Sequence, residues 1–191
     1  MITILYPYRN RELSRVKRSF DSLSNQNRHD FKVILVDYGS NKEMAENVNE
    51  LVSRYNFATY IYSYHCNQPW SRAKALNIGL KLLTTTYVFI DKLYELKNPR
   101  KSVYFKVGFL DENESKQNKL FNNYKIASTS KPGAQGLSLF PVEALKNIRG
   151  FDEFFHFWGA EDEDVHSRLL LSGIEVCFYE SEVLLLHQWH E

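Results

Sequence analysis

The sequence predicts an α/β protein built on a mostly parallel β-sheet with helices on both faces. Short runs of β-branched and aromatic residues recur along the chain, and the segments between them carry apolar residues at helical spacing. Strands that alternate with helices are typical of βαβ units, in which both faces of the sheet are covered. A chain of 191 residues has the length of one domain. We therefore expect one domain over 1–191, with a first half at 1–91 and a second half at 92–191.

The first half has the clearer pattern of elements. A first strand begins at Ile2 and is expected to stop at Pro7. The other predicted strands of this half lie at 31–36, 59–64 and 85–90, and its predicted helices lie at 13–23, 42–55 and 71–83.

The second half changes character. The stretch 95–131 is polar and rich in Asn and Lys, and we expect it to hold the least regular structure, with one strand at 103–107. Beyond it the pattern predicts strands at 137–140, 175–179 and 183–186, a short helix at 142–148, and a helix that starts at the acidic run 161–164.

Composition narrows the class of protein. The formal net charge is +1, so bulk electrostatics give no reason to expect a nucleic-acid partner. Cys66 and Cys177 lie far apart without metal-type spacing, which predicts a reduced, cytoplasmic protein. No run approaches the roughly 18 apolar residues of a membrane span, although peripheral attachment to a membrane stays open.

Polar residues follow three of the predicted strands, where parallel sheets bind their ligands. In Pro7-Tyr-Arg-Asn-Arg, Arg9 and Arg11 offer guanidinium forks that match phosphate oxygens, although exposed arginines without a ligand are an equal alternative. Asp37 ends the second strand and would either accept hydrogen bonds from a nucleoside or cap the next helix. Asp91 ends the fourth strand and is an oxygen ligand for a hard divalent cation.

Two further groups could complete such a site. Arg72, Lys74 and Asn77 open a predicted helix and suit a phosphate or ribose, the alternative being an ordinary helix start with a basic surface. His187 follows the apolar run near the end of the sequence and could join Asp91 on a metal ion, with His190 as its competitor.

The acidic run 161–164 is the most distinctive stretch. It stands at the start of a predicted helix, where the exposed N–H groups and the helix dipole favour negative charge. A well-capped helix start is therefore the plain alternative to a functional role. Trp158 and Gly159 precede the acids and offer an aromatic wall and a close backbone approach, which favours a polar-ligand pocket.

Together these motifs resemble the GT-A nucleotide-sugar glycosyltransferases over nearly the whole chain except 92–131. Pro7-Tyr-Arg-Asn-Arg is similar to their Pro-Phe-Arg-Asn-Arg motif, and Ile34-Leu-Val-Asp-Tyr-Gly-Ser resembles the signature of glycosyltransferase family 2. Ser71-Arg-Ala-Lys-Ala-Leu-Asn-Ile-Gly resembles Asn-Arg-Ala-Lys-Leu-Leu-Asn-Val-Gly of the β-1,4-galactosyltransferases. Phe157-Trp-Gly-Ala-Glu-Asp-Glu-Asp resembles their Trp-Gly-Gly-Glu-Asp-Asp-Asp.

The resemblance implies a GT-A (Rossmann-like) fold and an inverting hexosyltransferase of polysaccharide or glycan synthesis. It implies a UDP-sugar donor with a galactose-type hexose, a carbohydrate acceptor, and Mn²⁺ or Mg²⁺ as cofactor. It makes 1–91 the nucleotide-binding half and 92–191 the acceptor and catalytic half. The implied roles are a catalytic base at Asp162, sugar binding at Trp158, Gly159 and Glu161, nucleotide binding at Pro7, Arg9, Arg11, Asp37, Arg72 and Asn77, and metal binding at Asp91 and His187.

One departure from the family pattern leaves alternatives open. The family has Asp-x-Asp after the fourth strand, whereas this chain reads Asp91-Lys-Leu, so the second carboxylate is missing. Either the second metal ligand has been lost or a stretch after Asp91 is absent from this sequence, and the intact flanking motifs favour the second explanation. Loss of the second metal ligand would be consistent with a catalytically inactive sugar- or nucleotide-binding module. A nucleotidyltransferase is the other alternative, but its glycine-rich N-terminal loop is absent from Pro7-Tyr-Arg-Asn-Arg.

Overall fold

The computed structural model describes residues 1–83, 87–88, 98–117, 119–131, 138–156, 160–183 and 185–189, the side chains of 87 and 88 excepted. Its strands are β1 (Ile2–Tyr8), β2 (Phe31–Tyr38), β3 (Ala58–Ser63), β4 (Tyr87–Val88), β5 (Lys101–Phe105), β6 (Val107–Phe109), β7 (Ser128–Thr129), β8 (Ser138–Pro141), β9 (Glu175–Tyr179) and β10 (Leu185–His187). Its helices are α1 (Leu13–Ser24), α2 (Lys42–Ser53), α3 (Arg72–Lys81), α4 (Glu112–Ser115), α5 (Val142–Asn147) and α6 (Glu161–Leu171), with a 3₁₀ turn at Phe121–Asn123.

Seven of the strands form one sheet in the order β3-β2-β1-β4-β8-β5-β9. Strands β3, β2, β1 and β4 run parallel, β8 runs antiparallel to both of its neighbours, and β9 is again parallel to β5. A second, small sheet has the order β10-β6-β7. The predicted α/β class with a mostly parallel sheet is confirmed, and β8 is the strand that runs against the rest.

Helices α1 and α2 bury most of the apolar stripe that their sequences predict. Val16, Phe20 and Leu23 of α1 are buried, and they pack in one cluster with core residues of α2, β1 and β2. Burying an aliphatic or aromatic side chain of this size contributes about 1.5–3 kcal/mol. Asn41 precedes the first residue of α2 and caps the helix, because its side chain accepts the N–H of Met44 at 2.9 Å.

Helix α3 connects the two halves of the core. Ala73 and Leu76 pack in a cluster with residues of α5, α6, β5 and β8, while Ala75 packs against Val36 and Tyr38 of β2. Gly79 allows this helix to lie close to the sheet, because a Cβ built there would be 2.8 Å from a methyl group of Leu5. Helix α3 is therefore held tightly enough to fix the direction of its first residues.

Two predicted boundaries were wrong. Strand β1 does not stop at Pro7 but continues to Tyr8, with Pro7 in register with Val36. The described pairing of β1 with β4 covers Ile2 and Thr3. The strand expected at 103–107 is two strands, β5 and β6, which divide at Lys106 and enter different sheets.

The polar stretch 95–131 contains only short elements in its described part, in line with its composition. Among all described helices, none is long and apolar enough to cross a membrane.

Candidate active site

The first turns of α3 and α6 meet in a cluster of three charged side chains. Nη1 of Arg72 donates to Oε1 of Glu161 at 3.1 Å and to Oδ1 of Asp162 at 2.9 Å. The three side chains are partly buried, with exposed fractions of 30% for Arg72, 10% for Glu161 and 22% for Asp162. The guanidinium group of Arg72 is therefore shared by two carboxylates, so the cluster has an excess of negative charge. Arg72 lies against the acidic motif, where Glu161 and Asp162 accept its described hydrogen bonds, and its predicted nucleotide-binding role stays a prediction.

The four acids of the run 161–164 differ in the residues that they contact. Glu161 and Asp162 face Arg72, whereas Glu163 is exposed. Oδ2 of Asp164 accepts hydrogen bonds from both Nε and Nη2 of Arg168, one turn further along α6. Arg168 also donates to the carbonyl groups of Ile148 and Gly150, so this fourth acid helps to attach α6 to the preceding loop. Ala160 precedes α6 without a side-chain cap, and the first two acids of the helix accept hydrogen bonds from Arg72.

The surroundings of Asp162 make it a more basic carboxylate than usual. Burial raises its pKa most, Arg72 lowers it through its charge and hydrogen bond, and the neighbouring Glu161 raises it again. A raised pKa favours proton uptake, which is the property that a general base needs.

The side-chain amide of Asn77 makes its hydrogen bonds within the chain, and its predicted nucleotide-binding role stays a prediction. Its Nδ2 donates to the carbonyl oxygen of Phe151 at 2.7 Å and to Oε1 of Glu153 at 3.0 Å, and its Oδ1 accepts the N–H of Phe151 at 2.8 Å. Gly150 has φ +75°, and a Cβ there would lie 2.4 Å from Oδ1 of Asn77. The amide is buried and instead holds the loop that leads to the acidic run.

Replacing Asn77 by Ala should detach that loop and lower the free energy of unfolding by about 1–3 kcal/mol, because the buried N–H and C=O of Phe151 lose their partner. Urea denaturation of the parent and the variant measures the difference. The matched control is Asn47→Ala on α2, where the asparagine is exposed. Equal stability of the two variants would contradict the role of Asn77 in holding the loop.

The ends of β1 and β2 lie side by side, with Tyr8 in register with Asp37. The carboxylate of Asp37 is fully buried, and it accepts the N–H of Ser40 at 2.8 Å and the hydroxyl of Tyr60 at 2.9 Å. It therefore stabilises the turn after β2, and it is not accessible to a nucleoside in this conformation. The residue that caps α2 is Asn41 and not Asp37, and the predicted nucleoside role of Asp37 stays a prediction.

Arg9 and Arg11 differ in how they are held. Arg9 donates to the carbonyl oxygen of Gln68 at 2.6 Å and to that of Cys66 at 2.8 Å, so it fixes the loop after β3. Arg11 is exposed, and its side chain has no hydrogen bond or ion pair to any residue in the described ranges. Pro7, which precedes both arginines, is half-buried within β1. Arg11 is thus the more accessible cation for a phosphate group.

The predicted metal ligands are only partly described. Asp91 and the competitor His190 lie outside the described residues, as do Trp158 and Gly159 of the predicted sugar site. His187 ends β10, where its carbonyl oxygen accepts the N–H of Leu110 at 3.0 Å and its ring lies 5.3 Å from that of Phe109. Within the described ranges no three His, Cys, Asp or Glu residues form a group that could hold a metal ion. The described side chains therefore do not form a metal site.

An open cleft of about 350 Å³ lies beside the loop that Asn77 holds. Its lining residues are Asn77, Leu80, Lys81, Lys146, Arg149, Gly150 and Glu153. Neither Arg72 nor Asp162 lines this cleft, so it is not the space in front of the charged cluster.

Two family models match consecutive parts of the chain. Residues 3–90 match glycosyl transferase family 2, and residues 118–188 match the family described as N-terminal domain of galactosyltransferase. These are the two groups that the motifs resemble, so the resemblance stated from the sequence is confirmed.

Curated relatives are similar over about two thirds of the chain. β-1,4-Galactosyltransferase 5 of Danio rerio is 28% identical over 128 residues, which cover 64% of this chain and 32% of the relative. β-1,4-Galactosyltransferase 6 of Homo sapiens is 27% identical over 135 residues, which cover 68% of this chain and 34% of the relative. The matched part of the chain thus spans about a third of the length of these relatives.

Solved structures with low sequence identity share the fold. Mannosyltransferase PcManGT from Pyrobaculum calidifontis, in complex with GDP-Man and Mn²⁺, superposes with a TM-score of 0.67 at 18% identity, over 96% of this chain and 56% of that one. GalNAc-T7 with UDP, GalNAc and Mn²⁺ gives a TM-score of 0.69 at 14% identity, over 96% and 44%. The predicted GT-A fold is confirmed. These similarities favour neither an inactive binding module nor a nucleotidyltransferase.

Proposed function

We propose that this chain, which has the GT-A fold and resembles glycosyltransferases in both of its halves, transfers a hexose from a UDP-sugar to a carbohydrate acceptor with inversion. The observation that carries the proposal is the cluster of Arg72, Glu161 and Asp162 at the meeting point of α3 and α6. A half-buried carboxylate with a raised pKa beside one shared cation is suited to general-base catalysis. The galactosyltransferase relatives support a galactose-type hexose.

The proposed reaction assigns one role to each acid. The acceptor hydroxyl gives its proton to Asp162 while its oxygen forms a bond to the anomeric carbon of the donor. The bond from that carbon to the diphosphate oxygen breaks, and its electron pair leaves with UDP on the opposite face, which inverts the configuration. Glu161 is left to accept hydrogen bonds from sugar hydroxyls, because neighbouring residues of a helix point about 100° apart. Arg72 keeps both carboxylates in place before the sugar binds.

The nucleotide would lie at the ends of β1 and β2, where parallel sheets of this kind bind ligands. Arg11 is the exposed cation in that region and would contact the diphosphate. Arg9 and Asp37 are engaged with the loops on either side, so in this conformation they shape the nucleotide site by holding those loops. Trp158 and Gly159 remain proposed sugar contacts by their resemblance to the family motif.

A divalent ion is part of the proposal. Mn²⁺ is present in two of the solved structures of the same fold. The described residues of this chain do not provide the group of ligands that such an ion needs. Asp91 and His187 therefore remain proposed ligands on the strength of the resemblance alone.

The function is tested by incubating the protein and Mn²⁺ with UDP-galactose, UDP-glucose, UDP-N-acetylgalactosamine or GDP-mannose and a set of oligosaccharide acceptors. We expect UDP release and a glycosylated product with a UDP-hexose, UDP-galactose being the best donor, and the new linkage to have the configuration opposite to that of the donor. Omission of the acceptor is the control for simple hydrolysis. UDP binding by calorimetry without any transfer would instead support the inactive binding module.

A further inference from the structure

The open cleft of about 350 Å³ has a strongly basic lining. Lys81 ends α3, Lys146 lies in the last turn of α5, and Arg149 follows that helix. All three side chains are exposed, and Glu153 is the one acid among the residues that line the cleft. Even when Glu143, which pairs with Lys146 at 3.1 Å, is counted as well, three cations face two acids. The cleft therefore carries an excess of positive charge that attracts an anion.

The backbone of Arg149 has a conformation that favours glycine. Its φ is +65°, in the left-handed region, and Gly150 follows with φ +75°. Glycine or asparagine is the usual residue at such a helix end, because other side chains are strained there. A lysine in the last turn of a helix complements the helix dipole, which accounts for Lys81 and Lys146 but not for Arg149. A functional role of the guanidinium group would account for an arginine at this strained position.

The floor of the cleft is fixed by hydrogen bonds before any ligand binds. Asn77 is 8% exposed, and its amide is bonded to both the N–H and the carbonyl oxygen of Phe151. The same amide donates to Oε1 of Glu153 at 3.0 Å, which holds that side chain at the edge of the cleft. A site whose walls are already in place loses less free energy on ordering when it binds.

The side chains that line the cleft indicate the chemistry of a ligand. Arginine and lysine bind oxyanions, and the arginine fork matches a carboxylate or a phosphate with two parallel hydrogen bonds. Glu153 offers one oxygen to Asn77, and its other oxygen can accept a hydrogen bond from a ligand hydroxyl. The volume falls within the range of about 300–1,000 Å³ that is typical of small-molecule sites. Cations beside a hydroxyl acceptor, in a space of this size, suit a hydroxylated anion better than a bare inorganic one.

The cleft is separate from the charged cluster. Arg72 and Lys81 are nine residues apart on α3, which is about two and a half helical turns, so their side chains leave the helix on opposite sides. Neither Arg72 nor Asp162 lines the cleft. A ligand in the cleft therefore would not occupy the candidate active site.

We propose that this basic cleft is a second binding site, for a saccharide unit that carries an oxyanion, either a carboxylate or a phosphate group. Arg149 binds the oxyanion with its guanidinium fork, Lys81 and Lys146 add positive charge, and Glu153 accepts a sugar hydroxyl. Binding in the cleft does not depend on the proposed function, because no step of sugar transfer takes place there.

The test is a titration of the ¹⁵N-labelled protein, followed by NMR, with trigalacturonic acid, galactose 6-phosphate, maltotriose or inorganic phosphate. At least one of the two charged saccharides should shift the amide signals of Gly150 and Phe151 and leave those of Glu161 and Asp162 in place. Comparison of the two identifies which oxyanion the cleft prefers. We expect maltotriose to shift none of these signals and inorganic phosphate to bind at least about tenfold more weakly, because it offers no sugar hydroxyls.

The variant Arg149→Gly should weaken binding of the charged saccharide at least about tenfold, because a charge-assisted hydrogen bond is lost. This variant should fold, since glycine suits the φ of +65°. The matched control is Arg54→Gln, which removes one exposed cation outside the cleft and should change the affinity less than twofold. Asp162→Asn should bind the saccharide like the parent, so that failure of the proposed sugar transfer leaves this result intact.

Four results would overturn the inference. They are no binding of either charged saccharide, equal affinity for maltotriose, equal affinity for inorganic phosphate, and an Arg149→Gly variant that binds like the parent. If neither charged saccharide binds but the protein sediments with phosphatidylglycerol vesicles, and does so only with Arg149 present, the cleft instead contacts an anionic membrane surface.

Discussion

Replacing Asp162 by Asn should reduce the rate of sugar transfer at least roughly a hundredfold while UDP binding stays nearly unchanged. Asn keeps the shape of the side chain and can still accept the hydrogen bond from Arg72 through its amide oxygen, but it cannot accept the proton of the acceptor. General-base catalysis typically contributes about 10²–10⁴-fold. Initial rates with saturating UDP-galactose measure the loss, and calorimetry with UDP measures the binding that should survive it.

The neighbouring acids provide controls for this prediction. Glu163 lies in the same first turn of α6 but is exposed, so Glu163→Gln should change the rate less than twofold. Glu161→Gln should act more on sugar binding, which appears in KM. In the parent, activity should fall as the pH drops through the pKa of Asp162, and the fall should begin above the range of an ordinary aspartate because that pKa is raised. If the Asp162→Asn variant transfers sugar at the parent rate, the acidic run has no catalytic role and is only the start of a helix.

The fold was predictable because its signals are local. Each helix of the first half buries residues three or four apart, and each strand there is a short apolar run that ends in polar residues. The sequence does not reveal which sheet a strand joins. The sequence pattern predicts one strand where β5 and β6 are two, because no residue near Lys106 signals a division. Their parallel partners β9 and β10 lie 74 and 78 residues further along the chain (Lys101 to Glu175 and Val107 to Leu185).

The candidate site was predictable in its residue types and less so in their partners. Arg72 was identified as a binding residue, but its partners in this structure are acids 89 and 90 positions away in the chain. Asn77 and Asp37 carry the same polar groups whether they contact a ligand or hold a loop, so the sequence cannot separate the two roles.

Replacing Arg72 by Met should lower the free energy of unfolding by about 3 kcal/mol at pH 7.5. The side chains of Arg72, Glu161 and Asp162 are each less than a third exposed, so removal of the cation leaves two carboxylates together in a poorly solvated place. Breaking a buried ion pair by removing one partner costs about 3–5 kcal/mol, and partial exposure favours the lower end. The control is Arg54→Met, whose partner Glu50 is exposed, and which should cost no more than about 1 kcal/mol.

The loss in Arg72→Met should also depend on pH in a defined direction. Arg72 lowers the pKa of Asp162, so without it the pKa rises further above that of the unfolded chain. A carboxyl group whose folded pKa is raised favours folding while it is protonated, and that contribution is lost as the pH rises through the folded pKa. The deficit relative to the parent should therefore be largest near neutral pH, and it should shrink as the pH falls through the raised pKa of Asp162, above the ordinary aspartate range near about pH 4. Adding Glu161→Gln and Asp162→Asn to Arg72→Met removes both buried charges and should restore most of the stability at pH 7.5. Urea denaturation at both pH values measures these differences, and a deficit that is small and independent of pH would mean that solvent already screens the cluster.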